Sequence, residues 1–246
     1  MKLILLLVAL SCFLQMGCAS NLDWRTASRE SAGIAPSPQE EKEALVHVYT
    51  ARAFGWRKYF AVHSWIATKE KNADHYITYH VTSWATRNGG SSVAMTKDIP
   101  DRRWYGAEPE LIAQVKGPAA ESAIQKIQEA VRHYPYPQFY RVMPGPNSNT
   151  FISYLLRHTP EIGVELPPNA IGKDWINQGD FFSLSETHTG VQVSAWGLLG
   201  FTIGLGDGIE VNIASMTFGI DFWRPALKLP FIGRLGFKDA PVFQAQ

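Results

Sequence analysis

Between residues 44 and 85, apolar and polar positions alternate in short runs rich in β-branched and aromatic side chains: ALVHVYTARA (44–53), YFAVHSWIAT (59–68) and HYITYHVTSWA (75–85). Gly55 and the polar stretch Lys71-Asn72-Ala73-Asp74 break them apart, so the pattern predicts strands of an antiparallel meander. The period changes at 118–133, where Ala120, Ile124, Ile127 and Val131 recur at three- and four-residue steps. Pro118 falls near the first turn and Pro135 beyond the end, which predicts a helix. A second helix is predicted from about Asn147, carrying Phe151, Ile152, Leu155 and Leu156 until Thr159-Pro160 stops it. In 191–205 every odd position is apolar or glycine, and Gly206-Asp207-Gly208 leads into IEVNIASMTFGIDF, the mark of a long hairpin. The fold class expected is α+β: an antiparallel sheet with helices packed on one side over 44–175, then a β-rich extension over 176–246 whose hairpin packs on that core.

The first residues follow another pattern. Met1-Lys2 precedes an apolar run of twelve, residues 3–14, too short to span a bilayer but suited to the core of a secretory leader. The run ends at Leu14-Gln15-Met16-Gly17-Cys18, which resembles the lipobox of bacterial lipoproteins. That resemblance implies a leader over 1–17, acylation of Cys18 and a lipid-anchored tether over 18–43. Ala19 stands where an Asp would retain the protein at the inner membrane, so the implied destination is the outer membrane, facing the periplasm. An ordinary secretory leader, releasing a periplasmic protein, is the alternative. Cys12 lies inside the leader, so processing and acylation leave no free thiol and no disulfide.

Composition narrows the chemistry. Apolar residues make up 46% of the 246 and charged ones 18%, a globular balance. The net charge is +1, without the basic excess that nucleic-acid binding needs. The chain contains no phosphate-binding loop, GxGxxG, GxSxG, HExxH or CxxC, and nothing in it implies a cofactor.

The candidate chemistry sits on three elements. His63 lies in the apolar strand AVHSWIAT and His80 in the next, TYHVTSW; either can equally be a hydrogen-bonded core residue. A metal site of His63, His75 and His80 is disfavoured, because residues five apart on a regular strand point to opposite faces. In PGPNSNTF (144–151), Asn147 and Ser148 suit a helix cap. The same position gives Ser148 the unpaired amides and dipole that stabilise a developing anion. Arg102, Arg103, Trp104 and Tyr105 can line a pocket or form a connecting loop. The stretch 221–238, with four basic residues and four aromatics, can lie on an anionic membrane surface or strap over the hairpin.

The order of a His-bearing strand, a second polar residue on the next strand and an Asn-x-x-x-Phe helix start resembles the circularly permuted branch of papain-like enzymes, the NlpC-like amidases and their acyltransferase relatives. In that family the strand His is the base and a Cys after the Asn is the nucleophile. The resemblance implies His63 as base, His80 as its orienter and Ser148 in the nucleophile position. The backbone N–H of Ser148 or Asn149 would hold the oxyanion, with Asn147 and Asn149 as oxyanion or substrate contacts. Serine in place of cysteine is a far poorer nucleophile without a tuned base. The span 44–175 also resembles an uncharacterised bacterial family of exported proteins, through the blocks HSWIA, RRWYG, YPYP, PGPNSNTF and AIGKDW, with PALKLP beyond them. Two functions follow: an envelope hydrolase or acyltransferase acting on an amide or ester, or a non-catalytic lipoprotein that binds a cell-wall peptide, glycan, lipid or protein partner.

Overall fold

The computed structural model describes residues 23–177 and 180–241; the expected leader and Cys18 lie outside these. The chain is mixed α+β, with two antiparallel sheets and two helices.

The first sheet contains β1 (Leu45–Arg52), β2 (Val62–Lys69), β3 (Ile77–Val81), β4 (Val93–Lys97) and β5 (Glu110–Lys116), in the order β4-β3-β2-β1-β5. The three strands predicted from alternation are β1, β2 and β3, and their pairing is antiparallel. Helix α1 (Pro118–Arg132) packs on β1 and β5, and α2 (Ser148–His158) on β2 and β3. Both lie on one face, where Val46, Val48, Ile66 and Tyr79 meet Ile124, Ile127, Phe151 and Leu155. The other face carries Tyr49, Trp65 and Tyr76 and is closed by Trp104. Burial on both sides leaves all eight residues of β2 buried, its polar His63, Ser64, Thr68 and Lys69 included.

Residues 23–41 have little regular structure but are held to this second face. Asp101 accepts hydrogen bonds from Ser31 Oγ (2.8 Å), Ile34 N (2.6 Å) and Ala35 N (3.1 Å), and Tyr76 donates its hydroxyl to Pro36 O (3.0 Å).

The extension is larger than one hairpin. It forms a second, seven-stranded sheet in simple meander order: β6 (Phe182–Leu184), β7 (Gly190–Ala195), β8 (Leu199–Gly204), β9 (Gly208–Ile213), β10 (Met216–Asp221), β11 (Ala226–Leu229) and β12 (Gly233–Gly236). Its alternation is inverted, with apolar side chains outward and polar ones inward. One registered row crosses every strand on the outside, from Leu184 through Val191, Ile203, Ile209, Ile220 and Leu227 to Leu235. The inward row contains Gln192, Thr202, Glu210 and Lys228, all buried.

That inward row docks on the core through buried charge. Lys173 Nζ donates to Glu210 Oε2 (2.8 Å) and Leu166 O (3.2 Å), and Lys228 Nζ to Glu210 Oε1 (3.0 Å), Asp207 O (2.6 Å) and Glu165. Burial alone would raise the Glu210 carboxyl, but Lys173 and Lys228 together outweigh it and bring it down to about 2. Gln192 Nε2 and Thr217 Oγ1 both donate to Asp174, from the segment that follows α2. The basic residues of 221–238 therefore do not all face out: Lys228 is fully buried, and Arg234 pairs with Asp221 at 2.6 Å. The PALKLP segment is strand β11, not a strap over the hairpin.

Candidate functional site

Strand alternation divides the candidate residues between the two faces of the first sheet. Val62 and Ser64 point toward α2: Ser64 Oγ donates to Asn149 Oδ1 (2.8 Å), and Asn149 Nδ2 donates to Val62 O (3.0 Å). His63, between them, turns to the opposite face and stacks on Trp104, with ring centroids 3.6 Å apart and planes 8° from parallel. His80 meets both rings edge-on, at 5.8 Å from His63 and 5.6 Å from Trp104. No hydrogen bond joins the two histidines among the described residues, and the buried His63 Nε2 has no hydrogen-bond partner.

This enclosure sets the electrostatics. Burial, then the neighbouring His80 and Arg102, holds the His63 imidazole well below its ordinary basicity. Burial and Arg102, against a smaller pull from Asp98, bring His80 down to about 4. Arg102 itself pairs with Asp98 at 2.5 Å and lies 5.7 Å from the Trp104 ring centre. Both histidines are neutral at pH 7. His75 is apart from them, its Nδ1 2.6 Å from Asp74 Oδ1 near the surface.

Helix α2 begins with a capping box, as Asn-Ser-Asn-Thr after two prolines suggests. Asn147 Oδ1 accepts from Asn149 N (2.9 Å) and Thr150 N (3.1 Å), and Thr150 Oγ1 accepts from Asn147 N (3.1 Å). Asn147 Nδ2 donates to Val142 O and Ile171 O, and Asn149 Nδ2 also reaches Ile171 O. Both amides are thus occupied in holding the loops around the helix start. Gly172 makes the closest approach: with φ at +97°, a Cβ there would fall 2.4 Å from Asn147 Nδ2. The cap takes the Asn149 and Thr150 N–H groups and leaves that of Ser148. The Ser148 hydroxyl shares this corner with the phenol of Tyr140, whose ionisation burial holds up.

The two faces meet at one cleft of about 300 Å³. His63, Asn147, Ser148 and Asn149 all line it, although His63 and Ser148 are 85 residues apart; His80 stands behind His63 and Trp104 and is not part of the wall. Trp56, Phe60, Trp84, Trp104, Tyr105 and Tyr140 are among the aromatic side chains of the remaining wall, and among the described residues Arg57 is the one lysine, arginine or carboxylate residue on it. No hydrogen bond joins Ser148 to His63 among the described residues. Of RRWYG, Trp104 and Tyr105 enter the cleft while Arg103 pairs with Glu108 at 2.7 Å. Trp56, Arg57, Phe60, Trp84 and Tyr140 were not legible as site residues from the sequence. The available signal was Gly55-Trp56-Arg57, an aromatic and a cation in a break between strands; there they form a short 3₁₀ turn (Gly55–Tyr59) with Trp56 68% exposed.

The molecule is thus an α+β protein in which a doubly covered antiparallel sheet and a capped helix build an aromatic cleft. The chain belongs to the family described as Protein of unknown function (DUF3750), whose sequence profile matches residues 43–175, more than half its length. Every residue of the cleft wall falls inside that span, and the seven-stranded sheet lies beyond it. No curated protein and no solved structure matches the chain.

Proposed function

We propose that the protein is a cell-envelope lipoprotein, anchored through Cys18, whose cleft binds an amphipathic envelope molecule with an apolar chain and an anionic group. The aromatic wall around the single cation Arg57 carries this reading. Apolar and aromatic linings with a few polar groups suit such ligands. A serine nucleophile needs a base that gains a proton, and a neighbour that stabilises the resulting imidazolium. Burial, then the neighbouring His80 and the positive Arg102, opposes that charge on His63. Binding therefore fits the pocket better than turnover.

The second reading is a hydrolase or acyltransferase of permuted papain-like descent, acting on an amide or ester. It draws on the convergence of Ser148 and His63 in one cleft, with the Ser148 N–H left open by the cap. Calorimetric titration of the full chain with dihexanoyl phosphatidylglycerol, below its micelle concentration, tests both. Binding predicts saturable uptake, weakened about tenfold by Trp56→Ala or Arg57→Ala and unchanged by Ser148→Ala. Absence of saturation overturns the ligand class, and Ser148-dependent release of hexanoate transfers the conclusion to catalysis.

A further inference from the structure

We infer that the outward face of the seven-stranded sheet docks into the hydrocarbon edge of a lipid bilayer, lying in the membrane surface without crossing it. Seven strands at normal spacing make a face roughly 30 Å wide. Its exposed strand positions are apolar in two registered rows, the one through Ile209 and a second through Phe182, Val193, Phe201, Val211 and Phe218. A contiguous apolar surface of this size marks an interaction site.

The chemistry selects lipid as the occupant. Protein interfaces of comparable size make a hydrogen bond for about every 100–200 Å². The exposed strand positions here offer no side-chain donor or acceptor, and hydrocarbon requires none. Polar-inward, apolar-outward alternation is the arrangement strands adopt against lipid. These strands have at most six residues, short of the roughly nine to eleven a spanning strand needs, and their inner face is already bonded to the core. The turns at the rim carry exposed Trp196, Phe222, Trp223, Phe231 and Phe237, with Lys238 exposed beside the last. Such residues favour the headgroup level.

The chain outside the structure puts the face within reach of a membrane. Only residues 19–22 separate Cys18 from Asp23, a reach of at most about 18 Å. Trp24 then packs on Trp84 of the cleft, and Phe60 on the cleft's other wall contacts Phe231 in the turn between β11 and β12. The anchored end, the cleft and one edge of the apolar face are neighbours. Only this proximity rests on the anchorage proposed above; the face itself does not.

A depth measurement tests the inference. Cys12 and Cys18 of the full chain are changed to Ser, and Ile209→Cys carries an environment-sensitive fluorophore. Gln125→Cys, on the exposed side of α1, is the control. With vesicles of phosphatidylethanolamine and phosphatidylglycerol, the label at 209 is expected to shift to the blue. It should also be quenched at least about twofold by nitroxides on the acyl chains, while the label at 125 responds to neither. A label at 209 that stays in water overturns the proposal. A label shielded without vesicles and untouched by acyl-chain nitroxide also overturns it, and identifies a second copy as the occupant. Leu227→Cys, in the same outward row, provides the second site should the first variant fail to fold. The mass of the native N-terminus, measured separately, reports whether Cys18 is acylated, so the two ideas fail independently.

Discussion

The two sheets spend the same alternating pattern in opposite ways. In the first, β2 is covered on both sides, and Ile66 has no accessible surface between the helices and its neighbours. In the second, Ile209 holds an equivalent apolar position in a central strand but remains 37% exposed, while its neighbour Glu210 is buried. The hydrophobic effect therefore assembles the first sheet. Matched charge and hydrogen bonds attach the second. A sheet attached this way keeps its apolar face available for something outside the chain.

The largest effect is expected from unpairing the buried charge. Glu210→Gln leaves Lys173 and Lys228 with too little negative charge around them, and urea unfolding should show a loss of about 3–5 kcal/mol. Nearly as large is the contrast between matched truncations. Ile66→Ala should cost about 2–5 kcal/mol, as for a fully buried aliphatic side chain. Ile209→Ala should cost well under 1 kcal/mol in the same urea assay, because water already reaches that side chain.

The pH dependence sharpens the picture on the first sheet. His80 titrates near 6.5 when unfolded and at about 4 when folded, so its folded basicity is depressed. Its contribution is intact above pH 6.5 and is lost as the pH falls toward 4, withdrawing about 3 kcal/mol over that window. His63, depressed by the same burial, steepens the fall. Unfolding midpoints measured from pH 7 to pH 4 should decline, and His80→Asn should flatten part of the slope.

Much of the first sheet was legible in the sequence, because β-branched runs between polar breaks and the three- and four-residue spacing from Ala120 to Val131 are local signals. The α2 cap was legible for the same reason, since Asn147 and Thr150 bond within one turn. Alternation in 191–205 showed strands, but periodicity does not say which face meets the core. The deciding partners, Glu165 and Lys173, lie outside that run and reveal themselves only through tertiary contact. His63 and Ser148 were recognisable as candidates. The indole stacked on His63 and the Tyr140 ring that lines the cleft with Ser148 are what give them their setting, and both depend on loops whose paths carry no period.

The claim that the cleft binds rather than turns over its ligand rests on the state of Ser148. Incubating the full chain with a biotinylated fluorophosphonate, followed by mass analysis of the peptide containing residue 148, measures that state directly. An unactivated hydroxyl that shares its cleft with a base resistant to protonation should gain no adduct beyond the level seen with Ser148→Ala. A phosphonyl adduct on Ser148 that disappears in His63→Ala would contradict the account and establish a working Ser–His pair.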